Sequence, residues 1–466
     1  MRLVFPRLVA TGIACLIAVA HDATPATPPN PPVVQVTASG TSAIAMAPRP
    51  WRENARLIPF PDGTDTLSFE NLEGIVLVEA RTSNGAGVDT AGQWVVDTGA
   101  GYLAVDEPLA RKLGIVDGKR GTREAIDLTQ RPVPRFRMGT LDRNQVEPAL
   151  TFDAAMVRDI TDRPVLGLVG QQVYRDRALW IDYQQELMAL VPVITQSDTA
   201  IAITRSRAAL NDVLSARAVG VPFQLVGDAK VVVTVEMPDA SRNGRSDPLT
   251  MIVDTGSSKT VLFEDALGER VHGVANWRSV RGLHAPTLVG PAVARVTLAP
   301  WVAVLGAADR KAADLVRVRD TDVVLVESRL GDLLTRVTGM PIHGLIGYSY
   351  LRHFRIAIDY PNQVLWLDRV PDLPVERPNE YSQVGVQIER RDGIARVVAV
   401  AKESPAERAG IRAGDELLAV DGEAVLPGEL NEAARRLEGP PGTWVRLMIQ
   451  RDGAPREFRI RRVRLL

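Results

Sequence analysis

Short apolar runs broken by Gly, Pro, Asn and Asp dominate the middle of the chain. Ile75-Val76-Leu77-Val78, Trp94-Val95-Val96, Val231 to Val235 and Met251-Ile252-Val253 are the clearest. Runs of this length, rich in β-branched residues, predict strands. Tyr183-Gln184-Gln185-Glu186 and Tyr360-Pro361-Asn362-Gln363 read as hairpin turns, which makes Asp182 and Asp359 turn and strand-end residues. Glu107 to Gly114 has Pro early and Gly last, so it predicts a short helix. Near the C-terminus Leu430, Ala433, Ala434 and Leu437 fall at i, i+3, i+4, i+7 and predict an amphipathic helix.

The ends of these patterned regions set the expected domain limits. Arg2 and Arg7 precede an apolar stretch, Leu8 to Ala20, that is too short to span a bilayer. With Ala18-Val19-Ala20 it predicts a signal peptide over 1–20 and export to the periplasm or medium. Gly12-Ile13-Ala14-Cys15 loosely resembles a lipoprotein box, so a membrane enters the picture only through a lipid on Cys15. Residues 21–50 are rich in Pro, Ala and Thr and read as a tether. Pro371, Pro374 and Pro378 mark a linker, placed at 372–381.

An internal repeat organises residues 51–371. Asp97-Thr98-Gly99 returns as Asp254-Thr255-Gly256, 157 residues on (254 − 97). Leu168-Val169-Gly170 returns as Leu345-Ile346-Gly347, and Trp180-Ile181-Asp182-Tyr183 as Ala357-Ile358-Asp359-Tyr360, each 177 residues on (347 − 170). Ile58-Pro59-Phe60 also matches Val221-Pro222-Phe223. The second copy therefore holds about 20 extra residues, placed within Ala303 to Gly339, a stretch without strand rhythm throughout. The copies divide into 51–195 and 196–371.

Two Asp-Thr-Gly triplets, each after an apolar strand and each followed by an apolar-apolar-Gly, resemble the pepsin- and retropepsin-like aspartic proteases. The resemblance implies a mainly β protein with two pseudo-twofold barrel lobes. It also implies a catalytic pair, Asp97 and Asp254, on the floor of the cleft between them. Thr98 and Thr255 would bond across the axis. Gly99 and Gly256 would let the loops approach, with Gly170 and Gly347 threading beside them. Two such carboxylates share one proton, and the pair activates water without metal or cofactor. Ser257 stands where the family donates a hydroxyl to the Asp, whereas the first copy has Ala100 and Gly101. Asp254 is therefore expected to be the better stabilised anion. Flap candidates are Arg281, Gly282 and Leu283 in the second copy and Gly118 to Thr122 in the first.

From about Gln383 the pattern changes. Ser404-Pro405-Ala406, Ala409-Gly410, Gly414-Asp415 and Val420-Asp421-Gly422 closely resemble a bacterial PDZ domain, over 382–466. The resemblance implies peptide binding by strand addition. The binding residues would be Val384, Gly385 and Val386 in the loop, with Ile388, Leu430 and Ala434 on the groove wall. Asp415 and Asp421 read as loop-fixing residues, and the arginines from Arg456 to Arg464 as the outer face of a last strand.

Composition narrows the reading. The 466 residues carry 55 basic and 56 acidic side chains, so there is no electrostatic case for nucleic acid. Cys15 is the only cysteine, and the five histidines form no HExxH run, so no metal is expected. Gly347-Tyr348-Ser349-Tyr350-Leu351 lacks the closing Gly of a serine nucleophile elbow. The expectation is an exported aspartic endopeptidase, working as a monomer on peptide or protein substrates, with a peptide-binding PDZ domain. The alternative is a non-catalytic peptide-binding scaffold.

Overall fold

A computed structural model describes residues 58–117, 127–194, 199–239, 244–268, 270–287, 290–305, 314–371, 373, 379 and 382–466. The expected signal peptide, the tether, the flap candidate at 118–122 and most of the linker lie outside these residues. The described chain is mainly β and ends in a PDZ domain.

Each half builds its own sheet, and a third sheet joins them. The first half forms a nine-stranded sheet and the second an eight-stranded one. The joining sheet has six strands, in the order Asp65–Ser68, Leu187–Pro192, Arg177–Asp182, Phe354–Asp359, Val364–Arg369, Val219–Pro222. Three come from each half, in mirrored order. The halves meet where Ala178 lies opposite Asp359 and Ile181 opposite Ile356, antiparallel. This register corrects one match in the repeat. Leu67 faces Met188 as Val221 faces Leu365, so the partner of Val221-Pro222-Phe223 is Leu67-Ser68-Phe69. The backbone agrees: Phe69 N–H bonds Glu186 O at 2.9 Å and Phe223 N–H bonds Gln363 O at 3.0 Å. Ile58 and Phe60 instead cover the joining sheet from outside, with Phe60 edge-on to Trp180 at 5.2 Å.

Asp182 and Asp359 do hold turns. Asp182 accepts from Gln184 N and Gln185 N, and Asp359 from Asn362 N. Glu107–Leu113 is helical and closes with Gly114 in the left-handed region (φ 72). The stretch expected to lack strand rhythm contains an eleven-residue strand, Arg317–Glu327. It pairs with the fifteen-residue strand Gly290–Val304 on one side and Thr260–Phe263 on the other. Residues 321–326 are buried on both faces, which erases the alternation that betrays a half-exposed strand.

The PDZ domain stacks strands Val386–Arg391, Ile394–Val400, Glu416–Val420, Trp444–Arg451 and Ala454–Arg461 in one sheet. Helix Leu430–Arg436 covers it, with Leu430, Ala433, Ala434 and Leu437 buried. Asp415 accepts from Arg412 N and pairs with Arg451, and Asp421 accepts from Arg446 N, so both fix loops. Arg462 departs from the expected outer face. It is buried, and its guanidinium donates to Leu437 O, Arg436 O and Trp444 O.

This domain is docked on both halves. Arg390 Nε donates to Asp162 Oδ1 at 2.8 Å, Leu430 N to Asp162 Oδ2 at 3.1 Å, and Arg163 to Gly428 O at 3.1 Å. On the second half, Lys402 N donates to Arg281 O at 2.9 Å. Gln387 exchanges two side-chain bonds with the backbone of His284. Ala401 and Leu466 join Val280 and Leu283 in one apolar cluster. The expected flap residues Arg281, Gly282 and Leu283 are thus a docking strand. A Cβ on Gly282 would sit 2.9 Å from the Lys402 side chain and 3.1 Å from Val400 O.

Candidate functional site

The two triplets meet at the junction of the halves. Strand Asp89–Val96 delivers Asp97, and strand Leu249–Val253 delivers Asp254. Each of these strands lies parallel to the apolar run before a glycine, with Val96 beside Val169 and Val253 beside Ile346. Each Asp then bonds that neighbour through its backbone: Asp97 N–H to Val169 O at 3.1 Å, Asp254 N–H to Ile346 O at 3.0 Å. Gly170 and Gly347 are forced by contact. A Cβ would come within 2.2 Å of Tyr102 O in one case and 2.1 Å of Lys259 O in the other.

The threonines lock the loops reciprocally. Thr98 N donates to Thr255 Oγ1 at 3.1 Å, and Thr255 N to Thr98 Oγ1 at 3.0 Å. Their hydroxyls donate onward, Thr98 to Val253 O and Thr255 to Val96 O, both at 2.9 Å. All four side-chain bonds are buried, so losing one hydroxyl orphans two backbone groups. An orphaned buried group costs about 1–3 kcal/mol. Thr98→Val is therefore expected to lose roughly 2–6 kcal/mol in a urea melt. Thr255→Val should match it, and the double variant should fall short of additivity. Additive losses would show that the two threonines do not act as one lock.

Asp97 Oδ1 accepts from Gly99 N at 2.9 Å and Ala100 N at 3.1 Å, and Asp254 Oδ1 from Gly256 N at 2.8 Å. A Cβ on Gly256 would stand 2.9 Å from the Asp97 carboxyl and 3.2 Å from Asp254 Oδ1, so the carboxylates converge on this glycine. Both side chains are 0 % exposed. Their Oδ2 atoms are buried without a hydrogen-bond partner among the described residues. Burial pushes the Asp254 carboxyl up to about 7, against the amides of Gly256 and Ser257 and the charge of Lys230. Burial, then the charge of Asp254, holds Asp97 well above its ordinary range. Burial thus makes both carboxyls reluctant to ionise. Tyr174 and Tyr360, ring centroids 5.7 Å apart, lie close enough to feel the charge of the pair, and their hydroxyls stay protonated because burial raises them further.

Ser257 does not play its expected part. Its hydroxyl donates to Lys259 O at 2.8 Å, not to Asp254. Gly101 has a packing reason: a Cβ there would lie 2.3 Å from Asp228 O. Ser349 is no nucleophile, since its hydroxyl is buried and bonded to Asp322 O and Thr260 Oγ1.

In the PDZ domain, Val384, Val386, Ile388, Leu430 and Ala434 are brought together, all buried. Gly385 has φ +89, and a Cβ there would strike Ser404 at 2.4 Å. Sequence reasoning missed the groups at the outer end of this groove. Asp162 and Arg163 of the first half sit against Arg390 and the start of helix Leu430–Arg436. Among the described residues no group of three or more His, Cys, Asp or Glu is placed to hold a metal, and no helix is long and apolar enough to cross a membrane.

Residues 396–451 match the PDZ domain family. A carboxy-terminal-processing protease of Bartonella bacilliformis is 26% identical over 141 residues, 29% of this chain and 32% of that protein. A probable CtpA-like serine protease of Staphylococcus haemolyticus is 31% identical over 83 residues, 18% of this chain and 17% of that protein. Among solved structures, the PDZ domain of a Vibrio cholerae carboxy-terminal protease in complex with peptide is 21% identical, covering 18% of this chain and 94% of that one, with a TM-score of 0.16. The chain spans about a third or less of the curated relatives it matches. These relatives correct the expectation of an aspartic-type endopeptidase. They are carboxy-terminal processing proteases, and the Staphylococcus protein is named a serine protease. The burial of the carboxylates also bears on that expectation, because in this conformation neither presents surface to a peptide.

Proposed function

We propose that this protein acts in the proteolytic processing of polypeptides, with its PDZ domain holding a chain end or an extended segment. The PDZ match over 396–451 carries this reading. It is supported by the assembled Val384 to Val386 loop and by relatives named as processing proteases, while Ile388, Leu430 and Ala434 are buried in the domain core in this conformation. Strand addition along the edge strand Val386–Arg391 is the binding mode that fits, and it requires release of the contacts that Gln387 and Arg390 make to His284 and Asp162.

The architecture belongs to the same proposal. It has two related β lobes, 51–195 and 196–371, pepsin- and retropepsin-like in plan, then a linker at 372–381 and the PDZ domain at 382–466. Export by residues 1–20 is included. Asp97 and Asp254, held by Thr98, Thr255 and the glycines, are proposed as a proton-sharing pair.

The test uses the full chain and fluorescein-labelled decapeptides with apolar C-terminal residues, either free or amidated. Anisotropy should show binding of the free-carboxylate peptide, and mass spectrometry should show it shortened. Gly385→Val should weaken binding at least tenfold, because φ +89 and the Ser404 contact exclude a side chain. Equal indifference to both peptides, with no shortened product, would overturn the reading.

A further inference from the structure

The hairpin that faces the first Asp-Thr-Gly loop carries a buried ion pair. Lys230 opens strand Lys230–Glu236 of the second half and is 0 % exposed. Its ammonium donates across the junction to Gly99 O at 2.8 Å and pairs with Asp228 Oδ1 at 2.8 Å. Asp228 is fixed in turn: its Oδ2 accepts from Gly101 N at 3.2 Å, and its carbonyl from Gln171 Nε2 at 2.9 Å. The turn places a non-glycine residue, Ala229, at φ 71. Backbone in that region persists only where its surroundings hold it.

The repeat gives this site a control. Lys230 stands opposite Val226 in its hairpin as Ile75 stands opposite Leu72 in the first half. One half therefore offers a buried alkyl group where the other offers a buried cation. A buried ammonium requires a paired charge and satisfied donors to persist. Here those partners are Asp228 and the carbonyl of the very loop that carries Asp97.

We infer that Lys230 is a positioning residue that sets the proton affinity of the Asp97–Asp254 pair, holding Gly99 O in place and directing a fixed positive charge at the pair. This rests on the reading of Asp97 and Asp254 as proton-sharing. Lys230 from the hairpin acts on both carboxyls, Asp228 reaches their loop through Gly101 N, and Tyr174, Tyr183 and Tyr360 lie close enough to feel the charge of the pair. The tyrosines stay neutral, so Lys230 is the cation that favours the ionised pair, and Asp228 is the counter-charge that Lys230 itself pairs with.

The experiment follows urea-unfolding stability of the full chain from pH 4 to 8. Lys230→Met combined with Asp228→Asn removes both charges and keeps an acceptor for Gly101. It is expected to move the pH at which stability falls upward relative to wild type. Asp228→Asn alone leaves the cation uncompensated and should move it downward. Lys230→Arg should follow the wild type. Opposite displacements by the first two variants are something a merely structural role cannot produce. A loss of stability that is constant across pH in both would overturn the role of Lys230. A wild type with no fall in stability between pH 4 and 8 would instead sink the proton-sharing reading, and the two failures are distinct. If the double variant does not fold, the direction given by Asp228→Asn decides alone.

Discussion

Asp254→Asn is expected to flatten the pH dependence of stability between about pH 4 and pH 7. The folded carboxyl titrates near 7, and its ordinary value is 3.8. Across that interval the folded state therefore holds a proton that the unfolded state has released. Stability contributed by this group is full below the ordinary value and is lost as pH rises through the folded one. At about 1.4 kcal/mol per unit the span is on the order of 4 kcal/mol. Asparagine keeps an oxygen for Gly256 N and removes the titration. It also relieves Asp97 of a like charge, which is the second cause of that residue's rise after burial. The variant should equal or exceed the wild type at pH 8 and lose its advantage toward pH 4. Urea midpoints at four pH values measure this. A variant curve parallel to the wild type would show that the carboxylates do not share a proton.

Asp162→Ala is expected to loosen the PDZ domain from the first half and to cost about 3–5 kcal/mol, the usual penalty for stranding a buried partner charge. Arg390 and Asp162 are each less than a tenth exposed, and Asp162 also receives the amide at the start of helix Leu430–Arg436. Arg390→Met in the same background should recover much of the loss, because no charge is then stranded. A double-mutant cycle reads the coupling. Additive losses would show that the ion pair does not carry the docking. Hydrogen exchange should report the loosening first in Val386–Arg391.

The paired carboxylates were legible because the triplet occurs twice in the same setting. The PDZ domain was legible because its loops carry fixed Gly, Pro and Asp positions. What escaped has specific causes. Asp162 and Arg390 are 228 residues apart and belong to no local pattern. Lys230 begins a strand as any polar residue can, and nothing in its neighbours announces that it is buried. The orientation of Ser257 was decided by a competing acceptor two residues on, Lys259 O. Arg281 to Leu283 look like a surface hairpin until the PDZ domain covers them. The strand Arg317–Glu327 lost its alternation because six of its residues are buried on both faces.

The joining sheet sets a clock on biosynthesis. Strand Arg177–Asp182 has one edge against Leu187–Pro192, which follows it at once, and the other against Phe354–Asp359. At roughly 5–20 residues per second, the second partner leaves the ribosome on the order of 10–35 seconds after the first. Through that interval the emerging chain carries an open strand edge made of Ala178, Leu179, Trp180 and Ile181. Exposed apolar edges recruit other strands. A nascent chain of this design therefore gains from a holding chaperone, and halting translation before residue 354 should yield a first half prone to aggregate.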